Sequence, residues 1–238
     1  MKTNVNSYQN TGAAGAGLWL KWVLANALGE ALGLGGTALI FALSVLYAGE
    51  GTGLYAILVL AAFSVLAGTL IEGTVVGTAQ WLVLRKPLPR MRWRTWVLAT
   101  GAGAFLAWTL GMLPSTLLSL GSGGGASPAE PGEATVLGLA FLMGLVLGPV
   151  LGVPQWLVLR RFVRRAALWV PANALAWGCG MVVIFAGINL ALGGDFSPGI
   201  VPILALTLAC AGALVGAVHG LALVWLLRPA RRLKHGGR

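Results

Sequence analysis

Charge is what this chain has least of. Only 9% of its 238 residues are Asp, Glu, Lys or Arg, against about 25% in soluble domains, which excludes an ordinary water-facing globule. Cysteine is nearly absent too. The two present, Cys179 and Cys210, sit in apolar stretches. Counted along helices they differ in depth by about 10 Å, beyond the roughly 7 Å that a disulfide spans, so two packed free thiols are expected. There is no H-E-x-x-H, G-x-S-x-G, C-x-x-C or phosphate loop. One membrane histidine without a Ser or Cys nucleophile makes no triad, so the reading is that the protein is not an enzyme and holds no metal cluster. The N-terminus has a long polar lead and no small-residue cleavage site after a short apolar core. The first apolar segment is therefore expected to be retained.

What fills the chain is apolar: 58% hydrophobic residues and a mean hydropathy of +0.86. Six segments exceed the roughly 20 residues that cross a bilayer. They are about 22–48, 52–84, 95–120, 135–159, 167–192 and 198–227. The rest divides into a tail at 1–13, the six-span domain at 14–228 and a basic tail at 229–238.

The net charge of +10 suggests nucleic acid, but its distribution does not. Lys2 and Lys21 precede the first segment. Arg85, Lys86, Arg90, Arg92 and Arg94 follow the second, Arg160, Arg161, Arg164 and Arg165 follow the fourth, and Arg228, Arg231, Arg232, Lys234 and Arg238 end the chain. With six spans, all sixteen lie on one side, and Glu50, Glu130, Glu133 and Asp195 lie on the other. This asymmetry places both termini in the cytoplasm. The basic loops then face anionic lipid headgroups, each charge contributing about 1 kcal/mol near the surface. The bilayer is the expected partner, and nucleic acid is not.

Three stretches repeat. Residues 73–85 read GTVVGTAQWLVLR, residues 148–160 read GPVLGVPQWLVLR and residues 216–228 read GAVHGLALVWLLR. Aligned on Arg85, Arg160 and Arg228, they share Gly73 and Gly77, Gly148 and Gly152, and Gly216 and Gly220. Gln80 and Gln155 coincide, and the third copy has Leu223 there. The segments that start on the basic side repeat as well. Trp22, Trp96 and Trp169 each precede a small polar residue four places on (Asn26, Thr100, Asn173) and small residues seven and eleven places on. The unit is thus a helical hairpin. Segments two and three form one and four and five another, while the third is split between six and one. The expected fold is an all-α membrane bundle of six helices, built from three pseudo-repeated hairpins around an axis along the membrane normal, with spans one and six adjacent.

Small residues four apart share a helix face, and close small-xxx-small packing is a main source of helix association in lipid. The six repeated glycines are therefore expected to pack on neighbouring helices. Eight of the ten tryptophans cluster at the basic ends, as in an aromatic belt at the headgroups. Trp108 and Trp177 lie deeper. Residues 121–134 form the longest outer loop and read as flexible. Pro149 and Pro154 fall inside a helix, where they bend it.

Ionisable groups inside a membrane are costly and each is a functional candidate. Here they are Glu30, Glu72 and His219. Glu30 lies about 12 Å and His219 about 13 Å from the basic boundary, so adjacent spans one and six would bring them to one depth. Glu72 lies further out. On the Arg alignment His219 matches Val76 and Leu151, and on the alignment of Trp22, Trp96 and Trp169 Glu30 matches Ala104 and Trp177, so the three groups mark one corner. Three roles fit it: mutual satisfaction of Glu30 and His219, ligand binding with His219 as axial ligand to a haem or chlorophyll-type metal, or a proton or ion relay. Asn26, Gln80, Thr100, Gln155 and Asn173 form a second polar layer, expected to hydrogen-bond between helices.

The GxxxGxxQWLVLR segment, its basic turn and the following Trp-led helix resemble a repeat of uncharacterised bacterial multi-pass membrane proteins, notably of cyanobacteria and Chloroflexota. The resemblance covers the two full hairpins and, more loosely, spans six and one. It implies a bacterial inner-membrane protein and carries no activity. Such organisms build photosynthetic complexes, which suggests a pigment-associated subunit. Two functions are expected from the whole reading. The first is a non-enzymatic accessory or scaffold subunit of a larger membrane complex, with pigment, quinone or lipid as its contacts. The alternative is a small transporter or channel with an intramembrane Glu/His site.

Overall fold

The computed structural model describes residues 5–48, 54–121, 131–192 and 199–228. They form α1 (Val5–Ala48), α2 (Leu54–Ala67), α3 (Gly73–Leu84), α4 (Trp93–Gly121), α5 (Glu133–Leu159), α6 (Trp169–Leu192) and α7 (Ile200–Leu226). A π-helical turn, Gly68–Glu72, joins α2 to α3, and a 3-10 turn, Ala166–Leu168, leads into α6. The described residues contain no strand. Six helices are long and apolar enough to cross a membrane: Gly15–Ile40, Leu58–Leu84, Trp93–Met112, Glu133–Leu159, Ala166–Ala191 and Ile200–Leu226. These are spans one to six below.

The first helix reaches back to Val5, so most of the stretch at 1–13 expected as a loose tail is helical. No proline interrupts residues 5–48, and nothing else there forces a helix to stop. The basic tail at 229–238, most of the outer loop, Glu50, Glu130, Asp195 and Pro198 lie outside the described residues.

A glycine sits at each of six helix contacts. A Cβ at Gly29 of span one would meet Val76 of span two, one at Gly73 would lie 2.7 Å from Gly101 Cα of span three, and one at Gly103 would lie 3.0 Å from Leu151 Cα of span four. Further round, a Cβ at Gly148 would lie 2.7 Å from Ala174 Cα of span five, one at Gly180 would meet Val215 of span six, and one at Gly216 would lie 3.0 Å from Val23 Cα of span one. Contacts therefore run from each span to the next and from the last back to the first. At these distances a methyl group has no room. In lipid, where exclusion of water does not drive helices together, this backbone approach is what packing gains from.

One end of the bundle is closed by indoles and leucines. Trp22, Trp96, Trp169, Leu84 and Leu159 are completely buried, and Leu223 is nearly so. Trp169 meets Trp22 and Trp96 edge-on, with ring centroids 5.9 and 6.4 Å apart, the geometry aromatic quadrupoles favour. Leu88, Met91 and Ala166, from the two basic turns, complete this cluster. Three tryptophans expected in a headgroup belt thus occupy the centre instead. Each lies on the inner face of its helix, where its N–H finds a buried acceptor. Trp93 and Trp225 keep substantial exposure. At the rim, the guanidinium groups of Arg85 and Arg160 lie over Trp81 and Trp156, and that of Arg165 lies over Trp225.

Candidate functional site: a polar layer and an intramembrane cavity

Directly beneath the indole cluster the interior turns polar. Trp96 Nε1 donates to Gln80 Oε1 at 3.1 Å, Trp169 Nε1 to Gln155 Oε1 at 3.0 Å, and Trp22 Nε1 to His219 Nδ1 at 2.8 Å. One turn on, Asn26, Thr100 and Asn173 each donate to the carbonyl four residues earlier, on Trp22, Trp96 and Trp169. The amides then bridge helices. Gln80 Nε2 donates to Asn26 Oδ1 at 2.9 Å, and Gln155 Nε2 to Thr100 Oγ1 at 3.0 Å and Gln80 Oε1 at 3.1 Å. All five residues expected in a polar layer are buried in this network, each interhelical bond contributing about 0.6 kcal/mol.

His219 corrects the alignment made on the terminal arginines. It takes the third tryptophan where glutamines take the other two. Gly216 faces Asn26 as Gly77 faces Thr100 and Gly152 faces Asn173. By contacts, residues 212–219 therefore correspond to 73–80 and 148–155, one helical turn earlier than Arg228 implies. His219 thus stands in the place of Gln80 and Gln155, not of Val76 and Leu151. Leu223 joins the apolar cluster. The basic residue misleads because it marks where a helix leaves the bundle, while the glycines and the polar residue mark where helices touch.

Glu30 and His219 do not satisfy each other. His219 Nδ1 is taken by Trp22, an indole that can only donate, so the ring proton sits on Nε2. No group among the described residues bonds that Nε2. Glu30 is 2% exposed, its side chain crosses Gly212, and its Oε2 is buried with no hydrogen-bond partner.

Glu72 ends the π-helical turn, whose wider winding is closed by the Gly73 N–H bonding Gly68 O. Such turns recur at functional sites. Gly68 is needed there because the Trp108 indole occupies the space its Cβ would fill. From that position Trp108 Nε1 donates to Glu72 Oε2 at 2.6 Å. Trp108, one of the two deeper tryptophans, is thus a further residue of the site. A tryptophan on span three that matches no other repeat was the available signal.

Glu30, Glu72 and His219 line one cavity, to which all six spans contribute, and Trp177 lines it as well. About 20 Å3 of it is open to the centre of a water molecule, room for about one water. A haem or chlorophyll-type macrocycle does not fit beside His219 in that space. Among the described residues there is no group of three His, Cys, Asp or Glu that could hold a metal ion. Cys179 and Cys210 are free thiols and do not line the cavity.

No protein-family model, curated protein or solved structure matches the chain.

Proposed function

We propose that the protein is a multi-pass membrane protein that binds a small cation, the proton included, at its centre, in the manner of a small transporter or channel. The observation that carries this reading is the unpartnered carboxyl oxygen of Glu30, buried beside Glu72 and His219 in a cavity touched by every span. A buried acceptor without a donor costs about 1–3 kcal/mol, and ionisable groups inside a membrane mark ion and proton pathways. The scaffold reading is three pseudo-repeated hairpins around an axis along the membrane normal. It is supported by the three equivalent Trp–acceptor pairs and by the contacts that return from span six to span one. In this reading the membrane is a bacterial inner membrane and both termini are cytoplasmic. The one-sided basic loops and the arginines stacked on rim tryptophans support that orientation, as does the resemblance carried by the repeats. Of the two expected functions, an accessory subunit calls for a partner surface, and the exposed leucines along the helices serve lipid equally well.

Trp22, Trp108 and Trp177 report on the site through indole emission. Purified wild-type protein in mild detergent is titrated with acid, Li+, Na+ and K+. A saturable change with at least one of them, lost when Glu30→Gln and Glu72→Gln are combined, supports the reading. No response to any of them, together with stoichiometric partners in the purified material, overturns it in favour of the accessory subunit.

A further inference from the structure

The polar layer has a gap, and the gap opens on Glu30. Gln80 and Gln155 each accept an indole N–H and pass a hydrogen bond to the small polar residue of a neighbouring span. By the same pattern His219 should reach Asn173. It accepts from Trp22, but no bond joins it to Asn173. His219, Asn173 and Glu30 all line the cavity, and Glu30 Oε2 is a buried acceptor with no partner. A water needs two to four polar partners and the space described above, and this corner supplies both.

Resting on the small-cation reading, we propose that the cation is the proton and that it reaches Glu30 through one water held between His219, Asn173 and Glu30. A desolvated metal cation takes about six oxygen ligands, and the cavity has room for about one water. The titratable groups facing the cavity are Glu30 of span one, Glu72 of span two and His219 of span six, and spans three to five contribute none. His219 cannot take a second ring proton without displacing the Trp22 donor, so it orients the water. Glu72 is held by Trp108. The open acceptor is Glu30 Oε2: an O–H bond forms there as one breaks in hydronium, and water remains. His219 and Asn173 are positioning residues in this step.

The test uses the full chain in phosphatidylcholine–phosphatidylglycerol vesicles holding a pH-sensitive dye, with an imposed membrane potential, and parallel vesicles with tracer Na+ or K+. The expected result is proton flux above that of empty vesicles, no tracer flux, and proton flux falling to the empty-vesicle rate in Glu30→Gln. Tracer flux without proton flux overturns this inference and leaves the small-cation reading standing. Flux of nothing removes both. A Glu30→Gln protein that conducts like wild type also overturns it. Should that variant fail to fold, the wild-type infrared difference spectrum between acid and alkali decides. A carboxylic C=O band that shifts in D2O and weakens in Asn173→Leu is expected, and its absence overturns the proposal.

Discussion

Spans two and three meet through Gln80 and Trp96, and spans one and six meet through His219 and Trp22, at the same height and with the same donor. The first pair is closed. Gln80 Oε1 receives both Trp96 and Gln155, while its Nε2 reaches Asn26. The second is open, because the imidazole spends Nδ1 on the indole and its other nitrogen bonds no group among the described residues. An amide carries acceptor and donor at one tip, whereas an imidazole carries them on opposite sides of a ring. One difference of side-chain type therefore leaves a ring N–H unused beside a carboxyl oxygen with no partner.

The comparison can be broken at several levels, beginning with the close backbone contacts on which the whole bundle rests. Gly148→Val puts side-chain atoms where Asn173 O and Ala174 Cα already lie. We expect a loss of about 3 kcal/mol or more, seen as failure to yield a monodisperse folded protein. Gly17→Ala, with nothing within 4 Å, should melt like wild type. At the next level, Trp22→Phe leaves His219 Nδ1 without a donor, costing about 2 kcal/mol. Trp96→Phe leaves Gln80 Oε1 its bond from Gln155 and should cost about half of that. Equal losses in denaturant unfolding of the two variants would remove the distinction between a closed and an open pair.

His219→Gln sharpens the contrast by converting the open pair into the closed kind. A glutamine there can accept Trp22 and donate to Asn173, so stability should hold or rise by about 0.6 kcal/mol, while the response to acid is lost. A clear drop in melting temperature would show that the histidine serves packing. The smallest effects belong to the rim. Arg85→Ala and Arg160→Ala each remove a guanidinium from a tryptophan face and should each cost about 0.5 kcal/mol, indistinguishable from one another in the same unfolding assay.

Much of the bundle was legible because hydropathy needs no neighbours to be read. Spans, basic turns and the glycines that touch helices follow from local composition and spacing, and the residues of the polar layer were named from their offset to Trp22, Trp96 and Trp169. The register of the third stretch was not legible, because Arg228 is a stronger visual marker than Gly212, whose role appears only when Asn26 and Glu30 lie across it. Trp22, Trp96 and Trp169 read as belt residues for the same reason: sequence gives their height along a helix and not which way the helix faces. Glu72 and Trp108 are 36 residues apart, and their bond depends on a π-helical turn that nothing local announces.

By itself, then, the order of residues determined six helices long and apolar enough to cross a membrane, with small-residue faces, since transfer free energy and helical periodicity act segment by segment. Only the tertiary structure decided which polar groups meet and which oxygen is left without a partner. Hydrogen bonding is a property of pairs, and which pairs form depends on how helices distant in sequence turn toward one another.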